Sequence, residues 1–134
     1  MIHLNMNSTE KITWEIVEFH KNIEKWFQGK TENREALYSK LLSGFSPEFK
    51  MINGNGDAVT LSMLSEWLPS VFGKFPGRNI QVENIEVNYS DDHGLATYTE
   101  TQVTGEITTQ RTSSAIFLLN KEKALWLHLI ESWI

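Results

Sequence analysis

At Asn79 the hydrophobic period of this chain changes, and it does not change back. Before that point apolar residues recur in steps of three and four, the spacing of one helix face. After it they alternate in steps of two, the spacing of a strand whose two faces differ. Helices gathered in one half and long strands in the other predict an α+β domain, with helices packed on a mainly antiparallel sheet.

The first helix is predicted from Ser8 to Gln28, with Ile12, Ile16, Phe19, Ile23, Trp26 and Phe27 as its apolar stripe. Ser8 or Thr9 can cap its start, and Gly29 stands where a helix ends. A second helix spans Glu32 to Ser43 and stops at Gly44. Glu48 to Ile52 reads as a short strand, and Asn53-Gly54-Asn55-Gly56-Asp57 as a turn. A third helix starts near Thr60 or Ser62. Pro69 lies inside its stripe and predicts a kink or a restart.

Four long strands follow in hairpin order. Ile80 and Val82 alternate on one parity and Ile85, Val87 and Tyr89 on the other, so a bulge is expected near Glu83-Asn84. Asp91-Asp92-His93-Gly94 turns the chain into a strand from Leu95 to Val103, and Gly105 opens the next loop. Arg111 to Leu119 and Leu125 to Ile134 complete the set. In the last strand Trp126, His128, Ile130 and Ser132 share one parity, and Leu125, Leu127, Leu129, Glu131 and Trp133 the other. Both faces are mostly apolar, so both should be covered. Helices can cover one. The other, with Trp126, His128 and Ile130, is expected to meet a second copy in a symmetric dimer.

The chain has 134 residues, a length that favours one domain over 1–134. Its net charge of −5 and its lack of a Lys/Arg run argue against a nucleic-acid partner. No run of ~20 apolar residues is present to span a membrane. The start, Met1 to Met6, lacks the basic and apolar regions of a signal peptide. A cytoplasmic location is the expectation that follows. With no cysteine, thiolate nucleophiles and Cys-based zinc sites are excluded. The four histidines, His3, His20, His93 and His128, have no metal-ligand spacing, so neither a metal nor a cofactor is expected. No Gly-x-Ser-x-Gly nucleophile motif occurs, and Gly54-Asn55-Gly56 is too short for a phosphate loop.

Several stretches resemble the nuclear transport factor 2-like superfamily, in its ketosteroid isomerase-like and polyketide cyclase-like (SnoaL-like) branch. Trp26-Phe27-Gln28-Gly29 is similar to the W-x-x-G that closes the first helix of that family. Arg111-Thr112, Ala115-Ile116-Phe117 and Leu127-His128-Leu129-Ile130-Glu131-Ser132-Trp133 resemble its closing R-x-T…V-F…H-x-H-x-S-W hairpin. Ile130 stands where a second His is frequent, and Ala124 where a Trp is common. The resemblance implies a cone: a strongly curved sheet wrapped around helices, with a pocket at its open end and dimers formed through the outer face. The family includes isomerases, cyclases, dehydratases and assembly modules, so the fold assigns no activity.

Strand parity nominates the pocket residues. If Leu129 and Phe117 point inward, so do Glu131, Ser113 and Arg111. If the threonines at 97, 99 and 101 lie outside, Tyr98, Glu100 and Gln102 lie inside. Arg111 would then pair with Glu100 or Glu131, since an unpaired charge there is costly. Trp14, Phe49 and Trp67 could wall the cavity, and His20 could border it. Steroid isomerases place a carboxylate base just after the short strand that follows the helices. The matching stretch here is Met51-Ile52-Asn53-Gly54, and Asn53 cannot serve as a base; Asp57 reads as a turn residue.

Three readings stay open. One is a small-molecule-binding cone whose ligand is partly apolar, with an acceptor or acidic group near Arg111. Another is a cofactor-free isomerase, cyclase or dehydratase with Glu100 or Glu131 as base and Tyr98 as hydrogen-bond donor. The last is an assembly module whose cone is plugged by its own ion pairs.

Overall fold

The computed structural model describes residues 6–134. The expectations for Met1 to Asn5, including the position of His3, lie outside the described residues. The elements are α1 (Ser8–Gln28), α2 (Arg34–Ser43), β1 (Phe45–Ile52), β2 (Ala58–Thr60), α3 (Leu61–Val71), β3 (Arg78–Tyr89), β4 (His93–Thr104), β5 (Ile107–Leu119) and β6 (Ala124–Trp133). Among the described residues no helix is long and apolar enough to cross a membrane.

Helix α1 begins one residue earlier than a Ser8 or Thr9 cap would place it. Asn7 is the N-cap, and Asn7 and Glu10 form a reciprocal capping box. Gly29 closes the helix with φ 73°, a left-handed conformation that glycine adopts without a Cβ penalty. Its buried face divides: Ile12 and Ile16 pack with the sheet core, while Ile23, Trp26 and Phe27 pack with Leu37 and Leu41 of α2 and Leu68 of α3.

Pro69 does not restart α3, which runs through it to Val71. Proline withholds the N–H that the carbonyl of Ser65 would otherwise receive. The Tyr38 hydroxyl donates to that carbonyl at 2.9 Å instead. One turn on, the Trp26 indole N–H donates to the Leu68 carbonyl at 2.7 Å. Two aromatic side chains thus supply hydrogen bonds to α3 near its end, and they tie it to α1 and α2.

The six strands form one sheet in the order β2-β1-β6-β5-β4-β3. All neighbours are antiparallel except β1 and β6, which run parallel. Strand β1 starts at Phe45 and so takes in Ser46-Pro47. Strand β2, which the alternation did not signal, is a three-residue partner of β1 at the sheet edge.

Three pairings carry a register shift: β1 with β6 between Phe45 and Lys50, and two that bear on strand parity. In β3 the register shifts between Glu83 and Glu86, and Asn84 takes φ 56°, at the place where the apolar parity reverses. In β6 Phe117 pairs with Trp126 but Ile116 pairs with His128, which leaves Leu127 as the extra residue. The β6 shift overturns part of the parity reading. Trp126 points inward and is 1 % exposed, in the main core with Ile16, Phe49, Ala115 and Phe117. It belongs to no outer face. His128 and Ile130, beyond the bulge, are exposed as expected.

At Gly94 a Cβ would collide with the side chain of Ile12. The absence of a side chain there lets α1 approach the start of β4.

Candidate functional site

A cavity of about 400 Å³ opens between the concave face of the sheet, α1 and α3. Its apolar walls come from Phe19, Ile23 and Phe27 of α1, Phe45, Phe49 and Met51 of β1, and Met63, Leu64 and Trp67 of α3. Trp126 and Leu129 add the β6 side. Trp67 and Met63 are about half exposed.

The polar groups converge because of strand register. Glu100 on β4 pairs with Arg111 on β5, and Tyr98 pairs with Ser113. Ser113 in turn pairs with Glu131 on β6, so Arg111 and Glu131 are diagonal neighbours on one face. Tyr98, Glu100, Gln102, Arg111 and Glu131 all line the cavity, with His20 reaching in from α1.

These groups bond to one another along the wall. Arg111 Nη1 donates to Glu131 Oε1 at 3.1 Å, and Nη2 lies 3.5 Å from Glu100 Oε2. Gln102 Nε2 donates to Glu100 Oε2 at 2.6 Å. The Arg111 guanidinium lies 4.8 Å over the Trp133 ring. His20 Nε2 stands 3.1 Å from Glu100 Oε1, and its Nδ1 stands 2.7 Å from the Ile16 carbonyl oxygen. A carbonyl oxygen only accepts, so Nδ1 carries a proton. The Nε2 contact needs a second proton, shared between imidazole and carboxyl.

The two glutamates differ in acidity. Burial alone would raise Glu100, but the hydrogen bond and charge of His20, the charge of Arg111 and the Gln102 amide hold it at about 2. Glu100 is thus held as a carboxylate within the cluster. Burial raises Glu131 above the usual carboxylate value, and the Glu100 charge adds to this while Arg111 opposes it. Tyr98 is buried and raised well above an ordinary phenol, first by burial and then by the charges of Glu100 and Glu131. It stays a neutral donor. Its hydroxyl faces Ser113 Oγ, which does not reach hydrogen-bond geometry with it.

Phe49 and Trp67 also line the cavity, but Trp14 does not. Trp14 sits on the opposite side of α1, in a separate cavity with Glu15 and Lys123. The helical spacing of Trp14 relative to Ile12 and Ile16 could not separate the two sides of α1. His20 stands at the centre of the polar cluster, a place its position between Phe19 and Ile23 only hinted at. Trp126 lines the cavity because of the β6 bulge, for which alternation carries no signal. Asn53 borders the cavity too, but its Oδ1 accepts from the backbone N–H groups of Asn55 and Asp57, both at 3.0 Å, and so holds the turn.

No family model and no curated protein matches the chain. Solved structures do. An NTF-2 like protein of unknown function from Pseudomonas aeruginosa superposes with a TM-score of 0.85 at 24% identity, over 92% of this chain and 98% of that one. A provisionally named dehydratase of the NTF2-like family from Streptomyces avermitilis gives 0.75 at 11% identity, over 93% and 95%. A provisionally named ketosteroid isomerase from Parabacteroides distasonis gives 0.70 at 10%, over 98% and 91%. With its helices on a curved, mostly antiparallel sheet, the chain has the nuclear transport factor 2-like fold.

Proposed function

We propose that this chain binds a small, partly apolar molecule in the cavity between α1, α3 and the sheet. The observation that carries the reading is that the charged groups satisfy one another along the wall and still leave about 400 Å³ open. A plugged cone would have no such space, whereas the volume falls in the range of small-molecule sites. The apolar walls suit a ring or short aliphatic body. Its polar end meets Tyr98, Arg111 and Glu131. Both Arg111 carboxylate partners are already in place, so a neutral acceptor such as a carbonyl fits better than a third carboxylate. Small carbonyl compounds that bind should raise the melting temperature by mass action. Tyr98→Phe should weaken such a ligand by about tenfold, the loss expected of one buried hydrogen bond. Val59→Trp, at the β2 edge of the cavity, should abolish binding. A panel with no shift, or shifts untouched by both variants, would remove the proposal.

Acid–base catalysis is a second reading, and the raised pKa of Glu131 favours it. In this reading Glu131 takes a proton beside the ligand carbonyl while Tyr98, kept neutral, donates to the oxygen. Glu131→Gln would then abolish turnover and leave ligand binding in place. Two solved structures of this fold carry the provisional names dehydratase and ketosteroid isomerase, which is compatible with such chemistry.

The outer sheet face suits self-association. Leu95 on β4 and Ile130 on β6 are about half exposed, and Ile116 lies between them on β5. The proposed dimer joins these faces about a two-fold axis. Light scattering should give twice the chain mass, and Ile130→Asp should give a monomer with its melting behaviour otherwise intact. A wild-type monomer at high concentration would rule the dimer out.

A further inference from the structure

A second cavity, of about 300 Å³, lies on the far side of α1, between that helix, the end of α2 and the β5–β6 turn. Asn22 lines it. This residue is only 5 % exposed, yet its side-chain amide has no hydrogen-bond partner among the described residues. Glu15 and Glu18 line the same space. Among the described residues neither carboxylate has an ion-pair partner within 4 Å or a side-chain hydrogen bond. The Trp126 indole N–H faces Glu15 without reaching hydrogen-bond geometry. Positions 15, 18 and 22 follow the i, i+3, i+7 spacing of one helix face. Gly44 completes the space, because a Cβ there would collide with Glu15 Oε1.

We propose that this cavity binds the ammonium end of a small primary amine, with Glu15 and Glu18 as counter-charges and Asn22 Oδ1 accepting one N–H. The ammonium group has three donors, and these three side chains offer acceptors on one helix face. An anion would find its charge partners only at the rim, where Lys40 and Lys123 are exposed. Lys123 Nζ is already 3.3 Å from the Ser43 carbonyl oxygen. The same rim lysines disfavour a second positive charge, so the ligand is a monoamine or an amino-carboxylate rather than a diamine. The Trp14 and Phe19 rings border the space that a short alkyl body would take.

Burial pushes Glu15 up to about 7, and the charge of Lys123 only partly opposes this. The groups facing it are Glu18 of α1, Lys40 of α2, Glu122 and Lys123 of the β5–β6 turn, and the Trp126 N–H. An ammonium ligand favours the ionised carboxyl. Binding therefore strengthens as pH rises through about 7, and it releases a proton below that value.

Calorimetry with n-butylamine, 4-aminobutyrate and butyrate tests the site. Both amines should bind and butyrate should not. Glu15→Gln should weaken the amines by about tenfold, the range of one charge-assisted hydrogen bond, and should flatten the pH dependence. That variant replaces a partly buried, unpaired carboxyl with a neutral isostere, so it should melt no lower than wild type at alkaline pH. Asn22→Leu should weaken both amines as well. Binding that survives Glu15→Gln unchanged would overturn the proposal. So would an absence of heat with either amine, equal binding of butyrate, or loss of binding in Glu131→Gln, which would place the amine in the main cavity.

Discussion

Arg111→Leu should destabilise the protein by about 3 kcal/mol at pH 8, in the range for removing one partner of a buried ion pair, and by much less near pH 4. Arg111 is the cation between Glu100 and Glu131, and both carboxylates are largely buried. Without it Glu131, already raised by burial, rises further. A carboxyl whose folded value lies above its unfolded one loses stability as pH climbs between the two. Glu100 acts in the opposite sense. Its value of about 2 contributes stability that is present above the usual 4.5 and lost as pH falls toward 2. Removing Arg111 shrinks that contribution. Both effects make the difference between wild type and variant widest at high pH. Arg111→Lys should recover only part of the loss, because an ammonium cannot bridge two carboxylates as a planar fork does. Urea denaturation across the pH range measures this. A small, pH-independent loss would show that the wall cluster is not held together by Arg111.

Trp126→Ala should cost about 4 kcal/mol, the usual range for emptying a buried tryptophan site. The ring touches Phe117, Phe45, Phe19, His20 and Tyr98 at centroid distances from 4.5 to 6.5 Å, so it joins α1 to the sheet beneath the cavity. His128→Ala, two residues on and across the bulge, should cost less than about 0.5 kcal/mol, as a surface change does. The contrast between neighbours of equal parity is the signature of the bulge. Similar losses at both positions would mean that β6 runs without it.

Much of the architecture was legible because the relevant signals are local. The stripe from Ile12 to Phe27, the turn residues and the alternation after Asn79 each follow from backbone geometry over a few residues. The β3 bulge was legible too, because its two apolar runs change parity on either side of Glu83-Asn84. The β6 bulge was not. Apolar side chains on both faces of that strand leave no parity to reverse, so Trp126 read as outward when it lies in the core. Strand β2 is three residues long, too short for alternation to mark. Strand parity alone places Tyr98, Glu100, Gln102, Arg111 and Glu131 on one wall, since on β4 and β5 polar residues interrupt an otherwise readable pattern. The weight of His20 was not legible, because it depends on α1 meeting β4 far along the chain, and helical spacing left Trp14 a candidate wall residue although it lines the other side of that helix.

By itself, then, the sequence determined which segments become helix or strand and which residues share a face, because dihedral preference and side-chain periodicity act between near neighbours. Tertiary structure alone decided which face closes over the cavity, that His20 of α1 meets Glu100 of β4, and that Glu15, Glu18 and Asn22 line a second hollow. Those outcomes depend on packing between groups distant in sequence, where one extra residue in a strand reverses every side chain on one side of it.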